Sequence, residues 1–330
     1  MKNWDFILGV DVSKNTLDVY CWERQKHICI QNGTEGFKAL KKWGRANAID
    51  LSKSIVVMEF TGGYEYKLLQ FCEAMRIPFR RLPGLAIKRS MGIARGKNDK
   101  VDAMRIAQYA DEKHNSIEPS KPLNNKIIEL KALLQFRKSL VRENAGYETR
   151  IKERKHMYPD LKDDIIIRES NRKIKAGKAA EARIEQEIIK LIESDEAMKL
   201  NYKLITSIKG IGPVNGWMTI AYTENFTSFP DARSYAVYVG VVPFDHSSGT
   251  SIKGRKRVSQ LANKKLKAEL SQAARAAMSW DKEIKEYAER KLKNKLWSIV
   301  ANNVKFKLIL RMFAVVKRGT KYVDKYKLAA

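Results

Sequence analysis

Phe6-Ile7-Leu8-Gly9-Val10-Asp11-Val12, the polar triplet Ser13-Lys14-Asn15 and then LDVYCWE at 17–23 are the stretch on which the reading of this chain turns. Two β-rich runs separated by so short a polar break pair as a hairpin. A second break, Arg24-Gln25-Lys26, leads into HICIQN at 27–32 and predicts a third strand beside the second. Beyond it the period changes. GFKALKKWGRA at 36–46 sets Phe37, Leu40 and Trp43 or Gly44 on one side of a helix. SIVVMEF at 54–60 is a buried strand, YEYKLLQFCEAM at 64–75 a second helix, PFRRLP at 78–83 a fifth strand and VDAMRIAQYADE at 101–112 a further helix.

The order β-β-β-α-β-α-β-α is that of a ribonuclease H-like α/β domain, although other α/β folds share pieces of it. Past Pro119 and Pro122 the sequence turns long, charged and helical to about Leu200. Ile127, Leu130, Leu133, Leu134 and Leu140, then Ile184, Ile188 and Leu191, recur there at helical spacing. This predicts a helical, coiled-coil-like middle, either a dimerisation arm or a linker packed on the core. From Tyr202 a mainly α segment begins, broken by the glycine-rich turns IKGIGP and VGVVPFDHSSGTS. The expected domains are 1–118 (α/β), 119–200 (helical) and 201–330 (mainly α).

Charge speaks most directly about partners. Lysine and arginine number 64 against 37 acidic residues in a chain of 330, a formal +27, and such an excess opposes self-association unless a polyanion neutralises part of it. Nucleic acid is the natural counterpart. A ribosomal-type or basic membrane-surface protein shares the charge, but not a folded α/β domain carrying clustered acids. With 44% hydrophobic residues the chain can bury a substantial core. No apolar run reaches the roughly 20 residues that span a bilayer; the longest, around 236–242, is interrupted by Tyr238 and Gly240. Asp5 inside the short apolar stretch at the N-terminus argues against a secretory signal. Cys21, Cys29 and Cys72 have neither metal-ligand spacing nor an even count, so a reducing cytoplasm is expected and zinc is not.

Four acids carry the chemistry. Asp11 ends the first strand, where a side chain leaves the edge of a sheet, and Glu59 closes the fourth, which in this fold lies beside the first. Asp99 and Asp102, in KNDKVDA, sit near one helical turn apart at a helix start and share a face. If that helix packs over the strand ends, the four carboxylates converge. Such a concentration of like charge is unfavourable without cations, and hard oxygen donors suit Mg²⁺, with Mn²⁺ as the other choice. Two such ions about 4 Å apart position an attacking oxygen and stabilise a leaving one in phosphodiester transfer. Plainer roles exist: Asp99 as a helix cap, and Asp11 as the cap of a turn through Ser13. Glu59 has less of one, since an acid ending an apolar strand just before Thr61-Gly62-Gly63 has little structural reason to be there. Asp18, mid-hairpin, and Glu65, beyond the turn, are set aside. Actin-like ATPases also begin with a strand, an aspartate and a small-residue turn, but need a second glycine hairpin that this sequence lacks.

In the C-terminal part, Ser207-Ile208-Lys209-Gly210-Ile211-Gly212-Pro213 has the form of a helix-hairpin-helix turn, which offers Lys209 and the backbone of Gly210 and Gly212 to a phosphate. A tight turn between two helices is the equal alternative. In PFDHSSGTSIKGRKRVS, Ser247 and Ser248 precede Gly249 in a polar, flexible loop, and Lys253, Arg255, Lys256 and Arg257 follow. A serine attacks well only where its alkoxide is stabilised or a base takes its proton, which a cationic, metal-adjacent loop supplies. Composition alone favours a solvated, phosphate-binding loop. Lys264 and Lys267, in ANKKLKAEL, extend the basic run.

Together GVDVSKNTLDV, NGTEGFKAL, MEFTGGY and KNDKVDA, then IKGIGP, YVGVVPFDHSSGTSIKG and ANKKLKAEL, resemble in order the transposases of the insertion-sequence-110 family. The resemblance covers nearly the whole chain, leaving out the helical middle and the stretch after about Arg311. It implies a RuvC-like catalytic domain with an Asp-Glu-Asp-Asp metal site, falling here on Asp11, Glu59, Asp99 and Asp102. It also implies a C-terminal catalytic serine in a Pro-x-x-x-x-Ser-Gly pattern, which from Pro243 lands on Ser248, with Ser247 as fallback. Family members are recombinases directed by a structured, non-coding guide RNA that pairs with donor and target DNA. A homodimer or homotetramer in a bacterial cytoplasm is expected. Gln260 and Ala262 depart from the family's lysine and glycine, while Asn263, Lys264 and Lys267 keep the polar character. The rival expectations are a Holliday-junction-type endonuclease that hydrolyses without rejoining, and a non-catalytic nucleic-acid-binding protein.

Overall fold

In the computed structural model, β1 (Phe6–Val12), β2 (Thr16–Cys21) and β3 (Lys26–Gln31) form an antiparallel meander, and β4 (Ser54–Glu59) and β5 (Phe79–Leu82) add in parallel on the other side of β1. The mixed sheet therefore has the order β3-β2-β1-β4-β5. The structure describes residues 4–60, 62–84, 86–87, 98–122, 124–160, 164–248, 252–259 and 261–324, with backbone alone at 245–248 and 252–257. Two compact units emerge, Met1–Leu123 and Asn124–Ala330.

In the first unit the period of two along each strand divides the side chains between two cores. Leu8, Val10, Val56 and Met58 point to one face and join Leu40 of α1 (Thr34–Ala46) and Leu68 and Leu69 of α2 (Tyr66–Ala74). Ile7, Ile55 and Val57 point to the other and pack with Ala103, Ile106 and Ala107 of α3 (Asp99–Glu112). Burial on both faces is why β1 and β4 read as continuous apolar runs. Each element predicted between 6 and 112 is present in the predicted order, its ends moved by a residue or two.

The second unit is mainly helical. Helices α4 (Asn125–Met157) and α5 (Ile165–Glu193) run antiparallel, tied by Arg137 to Glu181 and Glu185, each at 2.7 Å, by Lys178 to Glu148 at 3.6 Å and by Arg154 to Asp164. Ile127, Leu130, Ile188 and Ile192 at the base of this pair enter the core formed by α6 (Glu196–Ile205), α7 (Pro213–Thr223), α8 (Ala232–Val239), α9 (Lys264–Trp280), α10 (Lys282–Leu292) and α11 (Trp297–Arg318). No described helix is long and apolar enough to cross a membrane.

The serine segment departs from its reading as a flexible loop. Strands β6 (Pro243–Ser248) and β7 (Ile252–Val258) pair antiparallel, with an irregularity between Phe244 and His246. A two-stranded ribbon satisfies its backbone groups through the ladder whatever the side chains are. No alternation of apolar residues is needed, so the usual strand signal is missing.

Candidate functional site

Gly9 decides how close α3 comes to the sheet. It lies on the same face of β1 as Asp11, two residues earlier. A Cβ at Gly9 would fall on the Ala103 carbonyl oxygen and the Ala107 backbone nitrogen, so only glycine admits the helix at this approach. Asp99 and Asp102 form the first turn of that helix. Asn98 caps it, accepting from the Lys100 N–H at 3.0 Å, so Asp99 is not the cap. Asp102 accepts from Arg105 at 3.0 Å, one turn on. The turn after β1 is closed without Asp11 as well: Ser13 Oγ accepts from the Thr16 N–H at 2.9 Å.

Glu59 occupies the rung after the Val10–Met58 pair and lies beside Asp11 on the neighbouring parallel strand. Its carboxylate rests against Gly84, where a Cβ would collide with it. Gly62 and Gly63, at φ of +81° and +133°, then turn the chain toward α2. Glu65 is buried and accepts from the Gly63 N–H at 2.9 Å, a structural role that matches its being set aside.

The electrostatic consequence falls on Asp11. Partial burial, then the charges of Asp99, Asp102, Asp18 and Glu59 in that order, push its carboxyl up from the ordinary 3.8 to about 6. The other three expected acids therefore all act on Asp11. Among the described residues, however, no three acid, histidine or cysteine side chains stand close enough together to hold a metal ion as they are. The donor set is all oxygen and its excess negative charge is uncompensated at Asp11, which is the chemistry that a hard divalent cation fits.

Asp18, set aside in the sequence as mid-hairpin, nonetheless acts on Asp11. It stands directly opposite Asp11 in the hairpin register, is 8% exposed, lies 2.8 Å from His27 Nε2 and accepts from Cys29 Sγ at 3.6 Å. Counting register back from the three-residue turn reveals that opposition, because Val12 pairs with Leu17 and the next rung on the same strands is Asp11 with Asp18.

In the second unit Lys209 is held by Asp324 at 2.6 Å, which raises its pKa. Gly210, at φ +95°, packs against Ala273 and Ala277 of α9, and Gly212 is the N-cap of α7, where a Cβ would meet nothing. Lys264 is exposed; Lys267 is half-buried, and burial lowers its pKa. Ala262 packs on Gly240. Ser247 pairs with Lys253 and Ser248 with Ile252 in the ribbon backbone. The side chains of Ser247, Ser248, Lys253, Arg255, Lys256 and Arg257, and all of Gly249 and Gln260, lie outside the described residues.

Two family profiles match the chain. A DEDD-type domain of the IS110 kind, described as a transposase, covers residues 8–154, and a transposase of the IS116/IS110/IS902 family covers 202–289. The pilin gene-inverting protein of Moraxella lacunata is 26% identical over 323 residues, 94% of this chain and 96% of its own length. That of Moraxella bovis matches with the same identity and coverage. An insertion element IS110 uncharacterized 43.6 kDa protein of Streptomyces coelicolor is 27% identical over 160 residues, 48% of this chain and 38% of its own.

Proposed function

The chain belongs to the IS116/IS110/IS902 family of transposases and is a DNA recombinase, and from that premise we propose that it cuts and rejoins strands with a Mg²⁺-binding acidic tetrad and a serine nucleophile. Asp11, Glu59, Asp99 and Asp102 hold the metal in a RuvC-like, ribonuclease H-like first unit. The single observation that carries this reading is the raised pKa of Asp11, whose neighbouring charges include all three other acids. Bound there, Mg²⁺ supplies the positive charge that phosphodiester chemistry needs at its attacking and leaving oxygens.

Ser248 is the nucleophile in this reading, presented by the β6–β7 ribbon of this or another copy in a homodimer or homotetramer. Its Oγ attacks a DNA phosphorus and loses its proton. The bond from phosphorus to the leaving strand's oxygen breaks, and that oxygen takes up a proton. A phosphoserine ester conserves the bond energy, and attack by another strand's hydroxyl restores the serine without ATP. Two relatives named as pilin gene-inverting proteins favour rejoining over hydrolysis, since inversion requires every cut end to be sealed. The charge of +27 supports donor and target DNA together with a non-coding, bridge-type guide RNA as partners. The glycine N-cap of α7, Gly212 followed by exposed Pro213, supports a helix-hairpin-helix type of backbone contact.

Covalent trapping on a nicked donor-end duplex tests this. Wild type and Ser247→Ala are expected to form a protein–DNA adduct and Ser248→Ala none. An adduct that survives in Ser248→Ala would rule out the assignment.

A further inference from the structure

Lys305 of α11 is 7% exposed; its stem is buried while its ammonium keeps a small opening to solvent, and among the described residues that ammonium makes no hydrogen bond or ion pair. The charges around it are of its own sign. Burial, then the charges of Lys267 and Arg275, hold the Lys305 ammonium below its ordinary range, and no carboxylate is among the charges acting on it. Lys267 and Arg275 lie two turns apart along α9, which packs against α11. The Arg275 guanidinium is itself placed over the Trp297 ring at 5.4 Å. Three cations thus lie along one seam between two packed helices, and among the described residues none of the three makes an ion pair.

The seam is joined to the serine ribbon. Asn302, one turn before Lys305, donates its Nδ2 to the Val241 carbonyl oxygen at 2.6 Å, and β6 begins two residues later. A group bound at Lys305 is therefore anchored to the root of the strand that carries Ser248.

We propose that Lys305, Lys267 and Arg275 form a binding site for one phosphodiester group of a nucleic-acid backbone at the root of the β6–β7 ribbon. The inference rests on the recombinase reading above and adds to it a contact that holds the strand beside the serine. A phosphate oxygen completes the coordination that Lys305 lacks, and it removes the repulsion among the three cations. The contact is independent of base identity, because it involves backbone charge only.

Equilibrium binding without divalent metal tests the site separately from catalysis. Labelled duplex DNA of mixed sequence, and single-stranded RNA of equal length, are titrated against wild type, Lys305→Met and Lys267→Gln over a range of salt. Lys305→Met and Lys267→Gln are expected to lose about ten-fold in affinity and to lower the salt slope by about one contact. A slope change confined to DNA or to RNA identifies which backbone occupies the site. Lys305→Met is also expected to melt close to wild type, because methionine keeps the buried part of the side chain and removes like-charge repulsion. If it fails to fold, half-exposed Lys267→Gln carries the test. Unchanged affinity and slope in both variants would overturn the site while leaving the recombinase reading standing. Failure of the wild type to bind either nucleic acid would overturn that reading and the site with it.

Discussion

Asp18 faces Asp11 directly across the first hairpin and is held by His27 at 2.8 Å, so the acid expected to bind metal is flanked by a buried carboxylate on a neighbouring strand. The Asp18 charge is one of the causes that raise the Asp11 carboxyl to about 6. Asp18→Asn is therefore expected to lower the Asp11 pKa while keeping the fold. Carbon-detected NMR titration of the aspartate carboxyls checks it, and an unmoved Asp11 midpoint would mean that Asp18 does not act on it.

The sign of the pH effect follows from the same shift. With 3.8 as its ordinary value and about 6 in the fold, Asp11 binds its proton more tightly folded than unfolded. Metal-free stability is then expected to fall as pH rises from about 4 to about 6 and to stay reduced above. Asp11→Asn removes this dependence. Melting curves in EDTA should show the variant above wild type near neutrality, with the gap closing in acid; a gap that does not change with pH would contradict the account.

Gly9→Ala places a methyl where the backbone of α3 lies. Overpacking of this kind costs about 1–3 kcal/mol. Because it moves α3, it is also expected to move Asp99 and Asp102 away from Asp11 and to weaken cation binding more than the loss of stability explains. Thermal melts with and without Mg²⁺ separate the two effects.

Arg311 bridges Asp281 at 2.6 Å and Glu283 at 2.8 Å, and Asp281 is 1% exposed while capping α10 through the Ile284 N–H. Arg311→Ala leaves that buried carboxylate without its counterion, a loss of about 3–5 kcal/mol. Chemical denaturation should show it as a lower midpoint. An Asp281→Asn change in the same background should recover part of it.

The first unit was legible because its signals are local. Alternating and continuous apolar runs around Gly9, Val56 and Leu69 name strands and helices, and Thr61-Gly62-Gly63 marks the end of β4. That the four acids stand at or next to element ends was legible as well. What escaped depended on register or on distant packing. Asp18 needs a count through the hairpin turn, and Gly9 is explained only once α3 lies on it. The β6–β7 ribbon carries polar side chains without alternation and so reads as a loop. Lys305 looks like a surface lysine in sequence, since nothing local reveals that α9 buries it with Lys267 nearby. Lys209, read as a phosphate contact, is occupied by Asp324, more than a hundred residues along the chain.

The account depends on Asp11, Glu59, Asp99 and Asp102 taking up a divalent ion together. Electron paramagnetic resonance of Mn²⁺ added to the full chain measures this directly. The account predicts tight uptake by the wild type and marked loss in each of Asp11→Asn, Glu59→Gln and Asp102→Asn, with all three variants folded. Mn²⁺ uptake that is the same in the wild type and the variants would contradict it.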